Sequence, residues 1–355
     1  MKILYDHQIF SSQTFGGVSR YHCALIKEFA RNHLLDWELP LYFSNNEYLA
    51  KLFNVTKFFP DCQFRGKNWI LERLNRQKVI SVLKRGDFEV FHPTFYLSYF
   101  LPYLNRPLVI TVHDMIHDLH PELPAHQWEV REKGKLIKAA NQIIVPSIAT
   151  ANDLMRIADI SSAKISVIPH GAPDSLSYSS RQLNYCENEF LFVGARSYYK
   201  NFDVVLRALK SAANVKLRCI GGNFTAEEMR RIDELGLNER VRQETVHSDN
   251  QLASIYAQSA GLIFPSLCEG FGLPILEAFS ASCPVVLSDI PVFREIAGNS
   301  AVYFDPHDEA DLSKKLSEVK LRRQELITNG AERVKNFTWE KCAALTLKVY
   351  QEAIR

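Results

Sequence analysis

Little in this chain ties it to an oxidising compartment, a bilayer or a nucleic acid. Its seven cysteines, at 23, 62, 186, 219, 268, 283 and 342, are odd in number, scattered and without a C-x-x-C pair. That indicates neither a disulfide framework nor a zinc site, and reduced thiols in a cytoplasmic protein are the expectation. No apolar run approaches the roughly 20 residues that span a bilayer. The start, Met1 to Asp6, reaches an acidic residue too early for a secretory leader. A net charge of +2 supplies no global field for nucleic acid. Short-period repeats and low-complexity segments are missing too. What remains is an ordinary globular composition, 46% apolar over 355 residues. That length suggests two domains, because single cores stop growing near roughly 250–300 residues.

The most informative stretch is F-P-S-L-C-E-G-F-G-L-P-I-L-E-A-F, residues 264–279. Residues 260–264 read as a buried strand. A turn with Gly270 and Gly272 follows, then a helix with Pro274 as its first residue. A helix opening on a glycine-rich turn presents backbone N–H groups and the positive end of its dipole. That suits a phosphate or a sugar hydroxyl. Glu269 stands in the turn and Glu277 one turn into the helix; each carboxylate accepts hydroxyl hydrogen bonds. The competing local reading is a capped helix with two solvated glutamates.

Strand and helix patterns alternate through the rest. In the first half, residues 3–5 are a strand, and Gly16-Gly17 open a helix running through Ala30. Strands 89–91 and 108–112 exit at His92 and His113-Asp114, and those exits converge on one sheet edge. A lone histidine there is more often structural; two at equivalent exits point the other way. Further strands lie at 142–145, with Ser147 capping the next helix, and at 165–168. The basic run 65–85 fits an amphipathic helix pair, either an ordinary solvated face or one resting on an anionic membrane. The polar segment 173–188 reads as a linker. In the second half a strand at 190–193 exits at Gly194, followed by Arg196, Lys200 and a helix capped by Asn201. An arginine and a lysine four apart at a strand exit suit a diphosphate, with surface ion pairing as the alternative. Strands at 215–220, 241–246, 284–288 and 301–304 follow. Asp249 caps a helix to Gln258, and Asp308 a long charged helix to about Leu326. Residues 339–354 form a last amphipathic helix. The alternation argues for α/β, doubly wound parallel sheets.

Taken together, Gly16-Gly17, His113-Asp114, Pro169-His170-Gly171, Arg196 with Lys200-Asn201, and Glu269 through Glu277 resemble the retaining glycosyltransferases of family four. The resemblance covers nearly the whole chain. It implies the GT-B fold: two Rossmann-like domains facing across a cleft, 1–172 for the acceptor and 173–337 for the nucleotide sugar, with 338–355 crossing back to the first. It also implies roles. Glu277 would hold the ribose hydroxyls. Glu269 and the amides of Gly270, Phe271, Gly272 and Leu273 would hold the sugar. Arg196 and Lys200 would hold the diphosphate, with Gly16-Gly17 approaching it through Gly17. His113 would meet the sugar near its 6-hydroxyl, and the backbone at Val246 the base.

Departure of a nucleoside diphosphate creates negative charge, which many transferases neutralise with a metal held by Asp-x-Asp. No two aspartates here are two apart. The expectation is therefore a metal-independent enzyme without a cofactor, in which Arg196, Lys200 and helix amides neutralise the diphosphate. No carboxylate stands out as a nucleophile, so the resemblance implies front-face attack with the departing phosphate taking the acceptor's proton. The donor is read as UDP-glucose ahead of GDP-mannose, although no residue decides it. The acceptor is a saccharide or lipid-linked saccharide, as in polysaccharide or glycolipid biosynthesis. The location is cytoplasmic, with peripheral membrane contact through 65–85. Two other readings stay open: a nucleotide-sugar 2-epimerase of the same fold, which needs no acceptor, and a non-enzymatic, two-lobed sugar-binding protein, which needs no paired Arg196 and Lys200.

Overall fold

The computed structural model describes residues 1–59, 62, 64–122, 127–173, 185–246 and 248–355. The chain divides into two compact units, Met1–Gly171 with Trp339–Arg355, and Ala172–Thr338. Each boundary lies one residue from its expected place. Of the expected linker, 174–184 lies outside the described residues, and so does 123–126.

In the first unit the strands are β1 (Lys2–Tyr5), β2 (Asp36–Glu38), β3 (Val90–His92), β4 (Val109–Thr111), β5 (Gln142–Val145) and β6 (Ile165–Val167). They pair in parallel in the orders β2-β1-β3 and β4-β5-β6, and a parallel bridge from Phe91 to Leu108 joins the two sets. Parallel strands need crossovers, here the helices Gly17–Asn32, Lys67–Arg85, Gln127–Ala139 and Ile148–Ala158. The helix Trp339–Ile354 packs in this unit: Cys342, Ala343, Val349 and Tyr350 share a core with Ile3, Tyr21 and Ile144. Its approach requires glycine at 171, where a Cβ would lie 2.5 Å from the Trp339 backbone nitrogen.

The second unit contains β7 (Cys186–Val193), β8 (Lys216–Ile220), β9 (Val241–Glu244), β10 (Ser259–Phe264), β11 (Val285–Ser288) and β12 (Val302–Phe304). Their order is β12-β11-β10-β7-β8-β9, all parallel, so the sheet reverses direction between β7 and β10. Open α/β sheets bind ligands at such a switch point. Helices cover both faces, which is why β10 and β11 read as unbroken apolar runs. Phe190, Leu217, Ile263 and Val286 have no exposed surface. Each such burial contributes about 1.5–3 kcal/mol.

Several local expectations are corrected. Residues 65–85 form one helix, Lys67–Arg85, bounded by Gly66 and Gly86, because nothing between those glycines breaks it. Its charges are widely used: Lys67 donates to the carbonyls of Phe59 and Cys62, Lys78 to that of Leu41, and Arg85 to Glu38. Asn201 precedes its helix but does not cap it; in a left-handed conformation, its amide donates to Pro306 instead. Ser248, not Asp249, caps the helix Asp249–Gln258 through the Gln251 amide. The charged helix after Asp308 ends at Leu321 and a second runs from Arg323 to Val334, with Arg322 at the joint reaching Glu318 and Glu325.

The first unit's interior is rich in neutral rings. His92 bonds Tyr350 Oη at 2.7 Å and Thr111 Oγ1 at 2.9 Å, so it is a structural residue. Burial pushes its pKa down to about 3, and that of His113 to about 4. Burial also drives His22 and His170 well below the ordinary imidazole value. In the unfolded chain these imidazoles take up protons near pH 6.5. Below that pH the unfolded state therefore binds more protons, and stability is lost as the pH falls. Buried Asp6 and Glu129 act oppositely, since burial raises both, Glu129 to about 7, but the histidines outnumber them. The urea midpoint is expected to fall steadily from pH 7 to pH 5. Each imidazole contributes at most about 1.4 kcal/mol per pH unit. A flat profile over that range would refute the neutral cluster.

Candidate active site

Two loops that leave the second sheet at its reversal build the candidate site. The loop after β7 carries Arg196 and Lys200; the loop after β10 carries Ser266 and Glu269. A backbone bond ties them, the Leu267 amide donating to the Tyr199 carbonyl at 2.8 Å. Lys200 Nζ lies 2.5 Å from Glu269 Oε1, and Ser266 Oγ donates to the same oxygen at 2.7 Å. The lysine and glutamate side chains are only 17% and 11% exposed, so water screens the pair little.

Gly272 stands at the N-terminus of the helix Leu273–Ser280 with φ 103°, a left-handed conformation that glycine adopts without strain. Pro274 is the second helical residue, where its missing N–H costs nothing. Phe271 is buried with its ring edge-on to Phe337, leaving only its backbone to serve a ligand. Glu277, half-buried, accepts a hydrogen bond from Tyr256 Oη at 2.9 Å. Val246 is half-buried just beyond β9, which ends two residues earlier than expected.

Arg196 takes a different direction from Lys200. Its Nε donates to Glu228 Oε1 at 2.8 Å, and its Nη2 to the carbonyls of Gly222 and Asn223 at 2.8 and 2.9 Å. The guanidinium lies 4.8 Å from the Phe224 ring centroid. Nη1 is buried and has no hydrogen-bond partner among the described residues. Glu228 holds Arg196 while closing a capping box with Thr225.

The first unit holds the remaining candidates. Gly16 immediately precedes the helix Gly17–Asn32, and a Cβ on it would meet the Gln13 side chain at 2.3 Å. His113 follows β4, half-buried, its ring edge-on to Tyr21, its backbone amide donating to Tyr96 Oη at 3.0 Å. His113 Nε2 has no hydrogen-bond partner among the described residues. With burial holding the ring neutral, it can exchange a hydrogen bond with a hydroxyl but brings no charge. Sequence reasoning missed Ser266, Tyr256 and Glu228. Ser266 lies within the stretch singled out but had no assigned role; the other two are ordinary helix residues until the fold pairs them.

Comparisons with known proteins bear on the family and the fold. A family model described as Glycosyltransferase Family 4 matches residues 15–176, and one described as Glycosyl transferases group 1 matches residues 179–335. The O-antigen chain mannosyltransferase RfbU of Salmonella typhimurium is 30% identical over 210 residues, 58% of this chain and 59% of that protein. The MMP alpha-(1->4)-mannosyltransferase of Mycolicibacterium hassiacum is 29% identical over 301 residues, 76% of this chain and 72% of that one. Among solved structures, a sucrose-phosphate synthase from Thermosynechococcus elongatus superposes with TM-score 0.78 at 18% identity, covering 99% of this chain and 98% of that one. Anabaena Alr3699/HepE in complex with UDP-glucose gives 0.74 at 17% identity, covering 98% and 99%. At those identities the structural likeness speaks for the GT-B fold alone. Matched by one model over 15–176 and by the other over 179–335, the chain belongs to the family 4, group 1 glycosyltransferases.

Proposed function

We propose that the chain is a metal-independent, retaining mannosyltransferase that moves mannose from GDP-mannose to a saccharide or lipid-linked saccharide acceptor. The contact between Lys200 and Glu269 carries this reading. An ammonium has three donors, so Lys200 can hold Glu269 and a phosphate oxygen together. Glu269 and the first amides of the helix Leu273–Ser280 then take the sugar hydroxyls, and Glu277 the ribose. The backbone at Val246 receives the base. In the first unit, Gly16-Gly17 offer the start of a helix to a phosphate, and His113 offers a neutral nitrogen to a hydroxyl. As the bond to the diphosphate breaks, the growing charge is met by Lys200 and by the fixed charge of Arg196. No residue is assigned as a covalent nucleophile; the leaving phosphate accepts the acceptor's proton on the face where attack occurs.

Mannose is favoured over the glucose first read from the sequence because relatives at 26–30% identity are named as mannosyltransferases. Contact with an anionic membrane is supported by the helix Lys67–Arg85, where Trp69 is 59% exposed and lies beside Arg73. Among the described residues no helix is long and apolar enough to cross a membrane, so the contact proposed is peripheral.

Three outcomes are expected. With a saccharide acceptor, purified protein should turn over GDP-mannose faster than UDP-glucose and lose nothing in excess chelator; restoration by magnesium or manganese after such a loss would exclude the metal-free scheme. Lys200→Ala should lower turnover on the order of 10²-fold, as removal of one preorganised electrostatic stabiliser does. A change within twofold would remove Lys200 from the mechanism. The protein should co-sediment with anionic vesicles at low salt and be released at high salt, and Trp69→Ala with Arg73→Ala should weaken that binding.

A further inference from the structure

The hydroxyl of Tyr256 has no part in the roles proposed so far, yet it addresses a carboxylate at the centre of them. Tyr256 lies in the helix Asp249–Gln258 and is 1% exposed; Glu277 lies in the helix Leu273–Ser280 and is half-buried. The hydroxyl donates to Glu277 Oε2 at 2.9 Å. A glutamate with access to water needs no protein donor for its solvation. A donor supplied from a fully buried ring, on a neighbouring helix, does something solvation cannot: it selects one rotamer. It occupies one lone pair of Oε2, and a carboxylate has about four acceptor sites in all. Two vicinal hydroxyls, the pattern of a ribose, can then be received by a carboxylate that is already oriented.

We propose that Tyr256 is a positioning residue that orients Glu277 for the two ribose hydroxyls, and so sets the preference of this enzyme for ribonucleotides over nucleotides lacking those hydroxyls. The inference rests on the reading of Glu277 as the ribose ligand. It differs from that reading in assigning the selectivity to the second residue's hydroxyl. Orientation costs less when it is built in before binding than when the ligand must impose it.

The test uses the full chain with GDP and UDP as probes, each beside its 2′,3′-dideoxy counterpart, titrated by calorimetry. Tyr256→Phe removes the hydroxyl and keeps the ring. The expected result is about tenfold weaker binding of whichever ribonucleotide the native protein holds, the scale of one hydrogen bond to a charged group. Affinity for the dideoxy form should stay within twofold, which also shows that the variant is folded. Equal weakening of both forms would make the hydroxyl a packing feature and overturn the proposal, as would no weakening of either. Glu277→Gln separates the two levels. If it abolishes the ribose preference while Tyr256→Phe leaves that preference intact, only the role of Tyr256 falls. If Glu277→Gln leaves the ribose preference intact, the reading of Glu277 fails and the proposal with it, and so does failure of the native protein to bind either nucleotide.

Discussion

The reversal of strand order between β7 and β10 is the constraint on which the candidate chemistry depends. Parallel strands leave a sheet at one edge, so adjacent strands deliver their following loops to the same place. Here that brings together two side chains separated by 69 residues, Lys200 and Glu269, at 2.5 Å. An ion pair this little exposed is poor evidence of stability, because desolvation offsets much of the attraction. Its geometry is nonetheless closely held. Ser266 bonds the same carboxylate oxygen, and the Leu267 amide reaches across to Tyr199. A charge pair fixed from both loops suits a site that must keep its shape while a ligand's charge changes.

Polar groups at the exits of the first sheet divide differently. Asp6, after β1, receives hydrogen bonds from Gln8, from the amide and hydroxyl of Thr94, and from Tyr99. It is committed to joining the loops that follow β1 and β3. His92 is committed to Tyr350 and Thr111. Such networks, once satisfied, specify a unique interior. His113 keeps Nε2 unbonded among the described residues, and its neutrality fits contact with a hydroxyl better than with a phosphate.

The parallel sheets were legible because buried strands must be apolar on both faces; β4, β5 and β11 announce themselves through valine, isoleucine and leucine, and β10 as the apolar run 260–264. The turn at 265–272 was legible because glycine and proline mark backbone geometry directly. Short elements were not. The helix Gln8–Ser12 and the strand Asp36–Glu38 carry too few residues for a period to show, and both depend on tertiary contacts. Cap positions slipped where two capping residues adjoin, as at Ser248-Asp249. Among site residues, glycines and glutamates in the turn stood out, whereas Tyr256 and Glu228 did not. A tyrosine on a helix looks like core, and a glutamate three residues after a threonine looks like a capping box. Both descriptions are correct, and neither reveals the second partner that the fold supplies.

Arg196 shows how partners supplied by the fold set the direction of a side chain. A strand-exit arginine suits a diphosphate, and here its Nε and Nη2 are taken by Glu228, Gly222 and Asn223. That leaves Nη1 buried without a partner among the described residues, and an unsatisfied buried donor costs about 1–3 kcal/mol, more when charged. The position makes the cost intelligible. A Cβ at Gly221 would lie 3.5 Å from Nη1 and 2.7 Å from the Gly194 carbonyl, so glycine at the β8 exit lets the guanidinium and the backbone close together beside β7. On the proposed reading, the two cations divide the work. Lys200, an ammonium with three donors held in place against Glu269, meets the phosphate. Arg196, clamped on two nitrogens and backed by an aromatic ring, provides a positive charge that needs no reorganisation when the leaving group's charge appears, which is the condition under which electrostatic stabilisation is most effective.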